Sequence, residues 1–399
     1  MPRALHRVAQ TNGWTAASIA TALLALMLGL FATAAAATGL PNVDQGTLAR
    51  AKPGTIFRVW PLEGGVRPGV KGYRILYRST GKNGEAVAVT GAIIFPAEPS
   101  GKKRNVVAWA HPTTGVVSKC APTLLPDLSG TIQGIDRLTE QGYVIVATDY
   151  IGLGTRDAHP YLVGVSAAHA VLDSVRAAQN LRDTQAGHRF AVWGHSQGGH
   201  AALFTGIHAK GYAPELELVG VAAAAPATDL AALFSADRDS ASGRSLTSMT
   251  VLSWSRVFDL PVSSIVEAAS EPQFERLASD CIESIEQFIK EDQDEKALSR
   301  NFLKVDPVAD PRLNTIMREN TPGALPSGTP VFIAQSNADT LVLPHITKQY
   351  VATLCQGGAH VSTLTLQGSS HMVSGRDSAY AAVEWMTHLF SGHAPPNHC

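Results

Sequence analysis

The sequence has 399 residues, of which 45% are hydrophobic and only 16% charged, with a formal net charge of −1. That charged fraction lies below the ~25% of ordinary soluble domains. Its lysines and arginines are scattered, which excludes a nucleic-acid footprint and a polybasic membrane patch. The length supports a large core, and one domain carrying an inserted cap accounts for it best.

The first 37 residues read as a signal peptide. Arg3, His6 and Arg7 precede an uncharged apolar run over residues 19–37, whose end, Ala32-Thr33-Ala34-Ala35-Ala36-Ala37, offers small-x-small cleavage sites. The alternative is a retained N-terminal anchor, because the run is nearly long enough to span a bilayer. Cleavage predicts a mature chain beginning near Thr38 and secreted, extracellular or periplasmic. Export makes Cys120, Cys281, Cys355 and Cys399 candidates for two disulfides, with three pairings open. No Cys-x-x-Cys unit or His-Glu-x-x-His helix is present, so no metal site is expected.

After a Pro- and Gly-rich lead, residues 72–79 and 85–95 alternate apolar positions and predict antiparallel strands joined at Gly81-Lys82-Asn83-Gly84. Short apolar runs at 106–110, 143–148 and 190–193 suit strands buried on both faces. A helical pattern over 167–181 separates the last two and predicts a parallel crossover. The series continues with helix 199–209, strands 218–224 and 330–334, helix 346–354, strand 361–366 and helix 379–390. This is a mostly parallel, doubly wound α/β sheet. Over about 227–310 helix-like stretches replace the strands and predict the cap, within which 251–266 suits either an acyl tunnel or cap core.

Gly194-His195-Ser196-Gln197-Gly198 follows a strand and precedes a helix, the context in which a Gly-x-Ser-x-Gly turn lifts a serine above a sheet. This is the nucleophile turn of the α/β-hydrolase fold. A serine hydroxyl needs a histidine to take its proton and a carboxylate to orient that histidine, and this fold places both downstream. Asp339, just beyond the strand at 330–334, is the candidate acid. Asp306 and Asp310 flank prolines in or beside the cap, and Asp149 precedes the serine. His371 follows strand 361–366 and the Gly368-Ser369-Ser370 turn and is the candidate base; His345 and His360 come too early, and His393 and His398 belong to the tail.

For the oxyanion, the expected donors are the N–H of Gln197 and one from His111-Pro112-Thr113-Thr114-Gly115, with Thr113 favoured over Thr114. The threonine hydroxyl offers a further donor. Asp149-Tyr150-Ile151-Gly152-Leu153-Gly154 lacks the third glycine and Lys-Ser/Thr of a phosphate cradle, and reads as close packing at the site's rim.

The elbow, together with Ala147-Thr148-Asp149-Tyr150-Ile151-Gly152-Leu153-Gly154, Tyr77-Arg78-Ser79-Thr80 and Val89-Thr90-Gly91, resembles the secretory lipase family from about Pro53 to the C-terminus. The resemblance implies an acyl-ester hydrolase, a lipase or esterase, with a helical cap. It also implies the disulfides Cys120 with Cys281 and Cys355 with Cys399. Fungal members tend to carry an acidic residue in the oxyanion segment, where this chain has Pro112-Thr113-Thr114. No cofactor is required. The expected protein is a monomer acting on small-molecule or lipid esters, meeting any lipid interface transiently. A secreted peptidase or acyltransferase on the same fold, or a binding protein that kept it, are the rival readings.

Overall fold

The computed structural model describes residues 40–62 and 67–399. The expected signal peptide, residues 1–37, and the expected start near Thr38 lie outside the described residues. Among those described, no helix is long and apolar enough to cross a membrane.

Nine strands form one sheet: β1 (Ile56–Pro61), β2 (Val70–Thr80), β3 (Ala86–Pro96), β4 (Arg104–Ala110), β5 (Val144–Thr148), β6 (Ala186–His195), β7 (Glu217–Ala224), β8 (Pro330–Ser336) and β9 (His360–Leu366), in the order β1-β2-β3-β5-β4-β6-β7-β8-β9. The pairs from β1 through β3 to β5 are antiparallel, and those from β5 onward are parallel. The central strands read as unbroken apolar runs because both faces are covered. Val106, Val146, Val192 and Val221 pack under helices α1 (Gly164–Asn180) and α2 (Gln197–Tyr212). On the opposite face Trp109, Trp193, Ala222 and Phe332 meet the last helix.

β1 was not anticipated. Its outer residues are exposed at the sheet edge, so burial imposes no apolar alternation on them.

Between β7 and β8 the chain leaves the sheet and forms α3 (Leu230–Asp237), α4 (Ala241–Val257), α5 (Glu271–Ala278), α6 (Ile285–Ala297) and α7 (Pro311–Glu319). These helices carry their own apolar core, in which Leu233, Trp254, Phe274 and Phe302 are buried. That core also includes Leu313, Ile316 and Met317 of α7, beyond the expected limit near residue 310. Val251, Leu252, Trp254, Ile265 and Val266 all lie in it, so the 251–266 stretch is core rather than the wall of a tunnel.

After β8 come α8 (Pro344–Gln356), β9 and α9 (His371–Phe390). Two disulfides, Cys120–Cys281 and Cys355–Cys399, tie the segment after β4 to the helical insertion and α8 to the tail.

Candidate active site

Ser196 sits between β6 and α2 with φ 56° and ψ −117°. Such a conformation in a non-glycine residue costs about 1–3 kcal/mol and persists only where its surroundings fix it. Here the Ser196 N–H donates to the Ala224 carbonyl at 2.9 Å, and the Ser196 carbonyl accepts the His200 N–H at 3.0 Å as α2 begins. The flanking glycines follow from close approach: a Cβ on Gly194 would lie 2.1 Å from the Gly198 carbonyl oxygen, and one on Gly198 1.9 Å from that of Ala110.

His371 is the first residue of α9, which begins two turns earlier than the expected 379. Those turns bury Ser374, Gly375 and Ser378, so they carry no apolar stripe to betray the helix. The His371 ring lies between two partners, with Nε2 2.8 Å from Ser196 Oγ and Nδ1 2.9 Å from Asp339 Oδ2. Since a carboxylate only accepts, Nδ1 carries the proton and the Nε2 lone pair faces the serine hydroxyl. Burial pushes the Asp339 carboxyl up, but the hydrogen bond and charge of His371 and the N–H groups of Leu341 and Val342, both at 2.9 Å, hold it below the usual carboxylate range.

The rival carboxylates are engaged elsewhere. Asp306 pairs with Arg238 at 3.0 Å, Asp310 caps α7, and Asp149 is locked below the site by Thr90 and Thr123. His345 and His360 are exposed, and His398 binds Thr363 at the far edge of the sheet. His195, whose Nε2–H donates to the His371 carbonyl at 2.9 Å, is pushed down to about 3 by burial and stays neutral beside the ring it supports.

In the oxyanion segment, Thr113 lines a cavity together with Ser196 and His371. Thr114 lies behind that wall, where its carbonyl accepts the Ile282 N–H at 3.1 Å. Gln197, at the N-terminus of α2, directs its side chain into protein, and its Nε2 lies 3.3 Å from His159 Nε2.

A secretory lipase family model matches residues 130–397. The chain belongs to the secretory lipase family. It is thereby placed among the carboxylic ester hydrolases. Lipase A of Arthroderma benhamiae is 24% identical over 89% of this chain and 78% of its own length. Lipase A of Moesziomyces aphidis is 26% identical over 37% of this chain, a match that spans only 33% of that lipase. Among solved structures, Candida antarctica lipase A in its closed state aligns with a TM-score of 0.75 at 17% identity, covering 90% of this chain and 86% of that one. At that identity the likeness speaks to the α/β-hydrolase fold.

In this chain, sequence patterns missed the segment that holds the oxyanion candidates. The Tyr161 hydroxyl lies 2.8 Å from Thr113 Oγ1. Burial pushes that phenol up to about 12, so it remains protonated. His159 donates from Nδ1 to the Ile151 carbonyl at 2.8 Å, which leaves Nε2 to accept from the Gln197 amide. Helix α4 grips the segment from outside: Ser253 Oγ accepts the Tyr161 N–H at 2.9 Å and donates to the His159 carbonyl at 2.6 Å, and Trp254 Nε1 donates to the Tyr161 carbonyl at 2.8 Å. An aromatic–proline loop between β5 and α1 carries no periodic signal.

Two cavities meet at Ser196. One, of about 60 Å³, is walled by Leu230, Leu233 and Phe234 of α3, by Leu246 of α4 and by Val342, and it reaches Gln197. Its sole carboxyl is Asp237, pushed up to about 6 by burial. The other, of about 350 Å³, runs past His371 and Thr113 to Thr131 and Glu283.

Proposed function

We propose that this chain is an exported serine esterase or lipase that cleaves acyl esters through a Ser196-His371-Asp339 triad and an acyl-enzyme. The observation that carries the reading is the unbroken hydrogen-bonded line from Asp339 through His371 to Ser196, with the serine held in a strained conformation at a helix N-terminus. Asp339 orients the ring and stabilises the imidazolium that forms. As Ser196 Oγ attacks the ester carbonyl, His371 Nε2 takes the hydroxyl proton and then delivers it to the departing alcohol. The same nitrogen takes a proton from the water that hydrolyses the acyl-enzyme.

The oxyanion is assigned to the N–H groups of Gln197 and Thr113, with Thr113 Oγ1–H as a third donor when Tyr161 O–H donates to that oxygen. The apolar lining of the smaller cavity, Leu230, Leu233 and Phe234, suits the first carbons of the acyl group, and its volume of about 60 Å³ favours a short one. The signal-like N-terminus and two disulfides support export. Triacylglycerols are among the substrates this arrangement suits.

The test is hydrolysis of p-nitrophenyl esters from acetyl to palmitoyl by the mature protein, with Ser196→Ala as control. Activity that vanishes in the control supports the reading. A peak at long acyl chains marks a lipase, and one at short chains an esterase. No Ser196-dependent hydrolysis at any length overturns the reading in favour of the peptidase, transferase or binding alternatives.

A further inference from the structure

The two cavities at Ser196 are chemically unequal, and the catalytic geometry decides which part of the ester each receives. In acylation the departing oxygen must take its proton from His371 Nε2, so the alcohol lies on the side that His371 lines. That is the larger cavity; the apolar one touches Ser196 and Gln197 but not the imidazole.

The larger cavity carries the Glu283 carboxyl, which has no hydrogen-bond or ion-pair partner among the described residues. Burial pushes this group up to about 7, and no cation offsets it. Its backbone is held at its own N–H and through the two residues before it. Cys281 is disulfide-bonded to Cys120, the Ile282 N–H donates to the Thr114 carbonyl, and the Glu283 N–H donates to Gln287 Oε1 at 2.8 Å. Across the cavity, Thr131 already donates its hydroxyl proton to the Leu128 carbonyl at 2.7 Å, leaving its oxygen as an acceptor. The wall therefore offers acceptors in want of donors, on a rigid frame, beside the nitrogen that protonates the leaving group.

We propose that this cavity is the alcohol subsite and that it takes a polyol, whose free hydroxyl donates to the Glu283 carboxyl while the esterified oxygen departs toward His371. The proposal rests on the catalytic reading of Ser196 and His371. It identifies the substrate as an ester of a hydroxyl-bearing alcohol, such as a partial glyceride, rather than of a simple alkanol.

Propyl butyrate and glycerol 1-monobutyrate share an acyl group and a three-carbon alcohol, and differ only in the hydroxyls. Their kcat/KM values are measured by pH-stat titration for the wild-type chain, Glu283→Gln and Glu283→Leu, alongside propyl octanoate. At about pH 8.5, where the Glu283 carboxyl is ionised, the wild-type enzyme should favour the glycerol ester, and Glu283→Leu should lower that preference about tenfold, as expected for one lost hydrogen bond to a charged acceptor. Glu283→Gln keeps an acceptor oxygen and should lower it less, which also carries the test if the leucine variant fails to fold. The octanoate-to-butyrate ratio should not follow the change, because the acyl chain lies in the other cavity. A glycerol preference unaltered in both variants, or a change seen equally in the acyl ratio, overturns the alcohol-subsite assignment while leaving the triad intact. Absence of hydrolysis of all three esters by the wild-type chain instead removes the catalytic reading, and this proposal with it.

Discussion

Tyr161→Phe removes one oxygen atom and tests whether the oxyanion site is built from outside the fold's usual parts. In the structure that oxygen's protein partner is Thr113 Oγ1, at 2.8 Å. A neutral hydrogen bond contributes about 0.5–1.5 kcal/mol, and a lost oxyanion donor about 2.7–4 kcal/mol in kcat. If Tyr161 acts by holding the Thr113 O–H toward the substrate oxygen, the variant should fall between these, losing roughly ten- to thirtyfold in kcat. KM should stay near its original value, because the donor matters only once charge develops. The assay is steady-state hydrolysis of p-nitrophenyl butyrate, with inhibition by a butyl trifluoromethyl ketone, whose hemiketal carries the same oxyanion. Inhibitor affinity should weaken in proportion to kcat. Thr113→Val should produce a comparable loss, and the double variant little more than either alone, since both remove the same relay. A Tyr161→Phe enzyme with unchanged kcat, or with its whole loss in KM, would refute the relay and leave Tyr161 a packing residue.

Other outcomes follow from the same geometry. Ser196→Ala and His371→Ala should each lower kcat by several orders of magnitude, and Asp339→Asn by a similar or somewhat smaller factor; a folded His371→Ala enzyme of near-normal activity would remove the assigned base. The Cys120–Cys281 bond closes a separation of 161 residues and Cys355–Cys399 one of 44. Loop-closure entropy assigns them on the order of 5 and 4 kcal/mol, so in urea unfolding the Cys120→Ser/Cys281→Ser variant should lose more stability than Cys355→Ser/Cys399→Ser. Asp237 has a folded pKa of about 6 against an ordinary 3.8, so within that window the native state holds a proton that the unfolded state has released. Stability should therefore fall as pH rises between these values, and Asp237→Asn should abolish the fall, gaining stability at pH 8 but not at pH 3.5. Equal melting shifts at both pH values would count against this reasoning.

What the sequence determined by itself was whatever local chemistry or two-sided burial imprints on consecutive residues. β4, β5 and β6 were legible because helices on both faces require unbroken apolar runs, and the elbow because only glycine fits where Gly194 and Gly198 meet neighbouring backbone. The order of serine, acid and base followed from the fold once that elbow was placed. Tertiary structure alone decided the rest. The two hydrogen bonds that the His371 ring makes join residues 175 and 32 positions apart, and their lengths depend on how β8, α9 and α2 converge. The assignment of 251–266 to the core of the insertion turned on which face of α4 the other helices cover. His159, Tyr161 and Glu283 stand in loops, where no periodicity marks a side chain's direction. Each gains its meaning from a partner distant in sequence: Gln197, Thr113 and the cavity beside His371. A hydrogen bond depends on separation in space, and for residues on different loops that separation is fixed only when the whole sheet and its insertion have packed.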